Sequence, residues 1–176
     1  MERRLVIKQV LIMAGGLALL PSCLRDKGHS SITLKNIDIS LDQENLLAEI
    51  AETIIPRTNT PGAIELKLHL YALKMLDDCY EKVDQQKFMD DLAKLEDQTH
   101  DHFGKSFQKL SGSQRRSILT HVETAGSKFY QIFKNETING YLNSKYVMTN
   151  LIIYELVPGR YNGYFPVKTV TTYQKS

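Results

Sequence analysis

"SLDQENLLAEIAETIIPRTNTPGAIELKLHLYALKMLDDCY", Ser40 to Tyr80, decides the fold. It opens on Ser40 with Gln43 three residues on, the spacing at which each side chain can accept the other's backbone N–H at a helix start. Leu46, Leu47, Ile50, Ala51, Ile54 and Ile55 then recur at helical spacing and give one apolar stripe for a core to cover. Pro56 stops that helix, because proline disfavours helical geometry in the residue before it. After Arg57, Thr58 and Asn59, Thr60 is a suitable cap and Pro61 suits the first helical position, where its missing N–H costs nothing. The spacing therefore predicts a second helix from Pro61 to Tyr80. On it Leu66, Leu70, Leu73, Leu76 and Tyr80 form one stripe, and Leu68, Ala72, Met75 and Cys79 a neighbouring one. Lys67, Lys74, Asp78 and Glu81 hold the opposite face. So wide an apolar face predicts a central helix contacted from two sides.

Downstream the same period continues. A third helix is predicted from Asp84 to Phe103, with Phe88, Leu92, Leu95 and Phe103 in register. Ser111 with Gln114 repeats the capping pattern and opens a helix through Ile118, Leu119 and Val122, which Gly126 ends. A fifth helix carries Phe129, Ile132, Phe133 and Tyr141, and a short sixth covers Tyr146 to Tyr154. From "VPGRYNGYFPVK" onward the chain is rich in Pro, Gly and Tyr and is expected to be irregular. Strand signals are few. The fold class is all-α: a compact bundle of about five to six helices with an irregular C-terminal tail.

Upstream the chain changes character. "MERRLVIKQVLIMAGGLALLPSC", residues 1–23, has a charged start and an apolar run from Val10 to Leu20 that is short for a bilayer span, as in a signal-peptide core. Arg3-Arg4, followed by Leu5, Val6, Ile7 and Lys8, resembles a twin-arginine signal, with Val6 where phenylalanine is commoner. "LPSC" resembles a lipobox, with Leu20 at the right offset, Ser22 as the small residue and Pro21 unusual; Cys23 would then be the lipidated N-terminus. An ordinary cleaved signal or an uncleaved anchor are the alternatives. The organisation expected is a signal over 1–22, a tether over 23–39 and a helical domain over 40–176. Within the tether, "ITLKNIDI" alternates weakly and suits a short edge strand or an extended arm. With Cys23 lipidated, Cys79 is the one thiol left. It is expected to be buried in its helical stripe, or else paired between chains.

Length and charge limit the function. A chain of 176 residues makes one domain with a real core. Its net charge of +2 offers no basic field for nucleic acid. Of 22 basic and 20 acidic residues, the first 22 positions hold three basic ones and one acidic one, so a mature chain keeps 19 of each and is neutral.

Catalytic patterns are absent from the sequence. It has no GxGxxG or P-loop pattern, no CxxC, no HExxH, no GxSxG and no CxxCH. "EDQTHDH", Glu96 to His102, is the one metal-like cluster. Asp97 and His100 lie three apart, as in half of a di-iron motif, and Glu65 and His69 lie four apart on another helix, but the set is incomplete. A solvated polar face is the plainer reading, and the same holds for His121 beside Arg115 and Arg116. No catalytic, cofactor-binding or metal-ligating residue is assigned to this chain.

"ETIIPRTNTPGA" (Glu52–Ala63) at the end of a first helix, "GYLNSKYVMTNLIIYELVPGRYNGY" (Gly140–Tyr164) and the twin-arginine-like leader resemble the gluconate 2-dehydrogenase subunit 3 family. The resemblance covers about residues 40–166, with the middle, 82–125, alike only in helical pattern. It implies the small subunit of an exported, periplasmic flavin-dependent sugar, sugar-acid or polyol dehydrogenase. In such complexes a large subunit of the glucose-methanol-choline (GMC) oxidoreductase type binds FAD and does the chemistry, and a haem c subunit often passes the electrons on. The small subunit supports folding and stability of the large one, and its signal takes the assembled pair through the twin-arginine translocase. The lipobox adds a membrane anchor at Cys23. Pro56, Arg57, Thr58, Asn59, Thr60, Pro61 and Gly62, together with Pro158, Gly159, Arg160, Tyr161 and Tyr164, are expected at the large-subunit interface, Tyr and Arg being favoured anchors. The same Pro and Gly could serve only as helix caps and chain reversals. Two other readings remain: a stand-alone helical lipoprotein that binds or scaffolds, and a small metal enzyme using Asp97, His100, Glu65 and His69.

Overall fold

The structure, a computed structural model, describes residues 30–152 together with Gly163 and Tyr164. Among them are six α-helices, a 3-10 turn and no strand. The helices are α1 (Leu41–Ile54), α2 (Leu68–Cys79), α3 (Lys82–Phe103), α4 (Gly112–Thr124), α5 (Lys128–Leu142) and α6 (Lys145–Asn150), with the 3-10 turn at Phe107–Lys109. The all-α class expected from the sequence is the class observed. No helix of the described residues is long and apolar enough to cross a membrane.

Two helices begin where the capping patterns say. Ser40 and Gln43 satisfy each other's backbone N–H at the start of α1, and Ser111 and Gln114 do so at the start of α4. At its far end α4 stops at Gly126, whose φ of 73° suits a residue without Cβ.

The second helix departs from expectation. It begins at Leu68, and Thr60 and Pro61 do not open it. Residues Ala63 to Lys67 instead wind as turns: Leu66 N–H donates to Gly62 O, Lys67 N–H to Ile64 O and Leu68 N–H to Ala63 O. Lys67 stands in the left-handed region, φ 53°, and breaks the path before α2 starts. The sixth helix is also shorter than the predicted Tyr146–Tyr154: it runs over Lys145–Asn150, and Leu151 and Ile152 form a turn.

α2 is contacted from two sides, by α1 and α5, as its wide apolar face predicts. The helix at the centre is nonetheless α5, which packs against each of the other five. Its Phe129 meets Phe88 of α3 edge-on at 4.9 Å between centroids, and Phe133 stacks on Phe129 at 5.7 Å. Leu46, Leu47 and Ile50 of α1 and Leu73 and Leu76 of α2 close the same core. Gly140 lets α5 and α2 approach, since a Cβ there would lie 2.7 Å from Tyr71 Cδ1.

The segment before α1 is an extended arm. Ile32, Leu34 and Ile37 pack against the core and Ile39 is buried in it. The arm's backbone is held by two carboxylates. Asp77, 1% exposed, accepts the N–H groups of Lys35, Asn36 and Ile37 at 2.8, 2.7 and 3.1 Å. Glu44 accepts both the N–H and the hydroxyl of Ser31. Cys79 is exposed at the end of α2, which overturns its expected burial and leaves the thiol within reach of the alternative, pairing between chains. Asp77, two residues earlier, takes the inward place.

Candidate functional site

The loop between α1 and α2 is where the residues of the first signature stretch that were expected at an interface fall. Pro56, Arg57, Thr58 and Asn59 are exposed, Thr60 and Pro61 are half-buried, and Gly62 is buried. The loop is closed by its own backbone and by a residue of α1. Ala63 N–H donates to Ile55 O at 3.0 Å and Thr58 N–H to Thr60 O at 3.1 Å. Glu52, in the last turn of α1, accepts the N–H of Arg57 on Oε1 and the N–H of Ile64 on Oε2, both at 2.9 Å. From α5 the Tyr141 hydroxyl donates to Thr60 Oγ1 at 3.2 Å. Arg57, with its side chain 76% exposed, faces Glu65 at 3.8 Å. A pair so exposed contributes little to stability and leaves the guanidinium available.

The remaining candidates are spread out. Pro158, Gly159, Arg160 and Tyr161 lie outside the described residues, as do Arg3, Arg4, Lys8 and Cys23 of the leader. Tyr164 is described and is 97% exposed. The metal-like residues do not assemble. Glu65 is turned to Arg57, and His69 is buried on α2. Asp97 and His100 line a cavity of about 280 Å³ with Leu46, Glu96 and Phe107. Among the described residues no group of three or more His, Cys, Asp or Glu is placed to hold a metal ion. His121 is exposed, its ring 6.0 Å from that of His102.

Burial shifts several titrating groups. It lowers His69, against the pull of Glu44, with Lys67 adding to the fall, and His69 Nδ1 has no hydrogen-bond partner among the described residues. It raises Glu96, reinforced by Asp97 and Asp42. Tyr80 is pushed well up by burial and by donating its hydroxyl to Glu136 at 2.6 Å.

Sequence reasoning missed Glu52. One signal for it existed: a carboxylate in the last turn of a helix faces the negative end of the helix dipole, and no basic residue shares that turn. An acid placed there needs donors from elsewhere. Asp77 was missed because it sits one position from Leu76, inside what reads as an apolar face.

Residues 41–159 match the family model described as gluconate 2-dehydrogenase subunit 3. No curated protein and no solved structure matches the chain.

Proposed function

The chain belongs to the gluconate 2-dehydrogenase subunit 3 family, an accessory subunit of a dehydrogenase complex, and on that premise we propose that it is the non-catalytic small subunit of a periplasmic flavin-dependent dehydrogenase. Its partner is a GMC-type large subunit that carries FAD and oxidises a sugar, sugar acid or polyol. This chain supports the folding and stability of that subunit and brings it to the twin-arginine translocase through Arg3, Arg4 and Lys8. Lipidation at Cys23 then holds the complex to the membrane, where a haem c subunit can take the electrons. The family match over 41–159, which spans the first signature loop and all six helices described, carries this reading. The rigid loop Pro56–Gly62 and the tail residues Pro158, Gly159, Arg160, Tyr161 and Tyr164 are the surfaces offered to the partner.

The test is a pull-down of the tagged chain from its native envelope, with absorbance read at the flavin bands and the captured proteins identified by mass spectrometry. A roughly equimolar flavoprotein of the dehydrogenase type is the expected result. A colourless, solitary chain would replace this reading with that of a stand-alone helical lipoprotein.

A further inference from the structure

The loop after α1 is held more firmly than a chain reversal requires. A turn between two helices needs its polar backbone satisfied and little else. Here one carboxylate bridges both ends of the loop, because Arg57 begins it and Ile64 follows it, and Glu52 accepts an N–H from each. The clamp closes only over a glycine: a Cβ at Gly62 would lie 2.4 Å from Glu52 Oε1 and 2.7 Å from Arg57 N. Tyr141 fastens Thr60 from a different helix. The acid is kept at an unfavourable helix end to do this. With the backbone satisfied inward, what faces outward is the Arg57 guanidinium, Thr58, Asn59 and, at the rim, the Ile64 side chain, 42% exposed. A cation, an amide and an aliphatic group on a fixed backbone make a small version of a polar-rimmed interface.

We infer that Glu52 is a positioning residue for partner recognition: it pre-shapes the Pro56–Gly62 loop into a rigid projection that docks on the dehydrogenase large subunit. The inference rests on the subunit reading above and deepens it. The partner surface that fits is a concave one with carboxylate or carbonyl acceptors for Arg57 and Asn59 and an apolar notch for Ile64. Ordering the loop at the folding step removes that cost from binding, so loosening the clamp weakens binding without removing any contact residue.

The full-length tagged chain is titrated against its large subunit, at a temperature where every variant is folded by circular dichroism. Glu52→Ala and Gly62→Ala are expected to weaken affinity about tenfold or more, and Glu52→Gln, which keeps one acceptor oxygen, to fall between them and the wild type. Arg57→Ala leaves the clamp untouched and is expected to weaken binding through the contact itself. Ser111→Ala, at the start of α4, lowers stability elsewhere and is expected to bind as the wild type does. If the wild type captures a flavoprotein and the Glu52 and Gly62 variants bind it equally well, the inference is overturned and the subunit reading stands. If Ser111→Ala weakens binding as much as they do, Glu52 has a structural role only. If the wild type captures no flavoprotein, both readings fall. Should Glu52→Ala not fold, Glu52→Gln and Gly62→Ala carry the decision.

Discussion

Asp77 ties the arm to the bundle with one side chain. Burial alone would raise its carboxyl, but the N–H groups of Lys35, Asn36 and Ile37, with Lys74 nearby, hold it below the usual carboxylate value of 3.8. The charged form is therefore the native one. Asp77→Asn keeps the shape but replaces a charged acceptor by an amide that can serve fewer of the donors. We expect it to cost about 2–4 kcal/mol, read by urea unfolding. A depressed carboxyl stabilises the fold above its unfolded value and loses that contribution as pH falls through the folded one, so the wild type should weaken below about pH 4 more steeply than Asp77→Asn. His69 acts in a different window. Its neutral form is favoured in the fold, so the unfolded chain takes up the proton first. Stability should hold above pH 6.5 and decline as pH drops below it. His69→Gln should flatten the melting temperature between pH 7 and pH 5; an unchanged slope would assign the acid sensitivity to other groups.

At the scale of elements, α1 and α4 show what a local signal can do. Their starts were legible because each capping box lies within four residues, and its hydrogen bonds do not depend on the rest of the molecule. Ser40→Ala and Ser111→Ala should each cost about 1 kcal/mol, and the double variant about the sum, since the two caps share no partner. Chemical denaturation of the three variants checks both points. α2 shows the limit of the same logic. Thr60-Pro61 is a sound helix opening in isolation, yet Thr60 accepts from Tyr141 and the Ile64 N–H belongs to Glu52. Those two contacts come from 81 and 12 residues away in the chain, so no window centred on Pro61 contains both. The stretch before α1 was legible by its alternation as a short edge strand or an extended arm, but its attachment was not, because Asp77 lies about 40 residues further on.

At the scale of the molecule, α5 is the element on which the others converge, and its seam with α2 depends on one missing side chain. Gly140→Ala would drive a Cβ into the Tyr71 ring, which is partly exposed and can move only by giving up its cover of the seam. We expect a loss of about 1–3 kcal/mol, measured by thermal melting. Because Tyr141 follows directly and fastens Thr60, the same change should loosen the Pro56–Gly62 loop and, on the proposed function, weaken capture of the proposed large subunit as well. A variant that melts normally and binds normally would show that the seam tolerates the methyl group.

The sequence by itself determined the helical class, the order of the helices, the starts of α1 and α4, the apolar faces that build the core, and the family. These follow from periodicity, capping and punctuation, whose energies are set by residues within one or two turns of each other. Tertiary structure alone decided where α2 begins, that α5 and not α2 is central, that Asp77 is buried while Cys79 is exposed, and that Glu52 shapes the loop. Each of these depends on a backbone donor or a ring brought in from a distant part of the chain. A buried carboxylate is tolerable only once such donors have arrived, so its place cannot be read before the fold that supplies them.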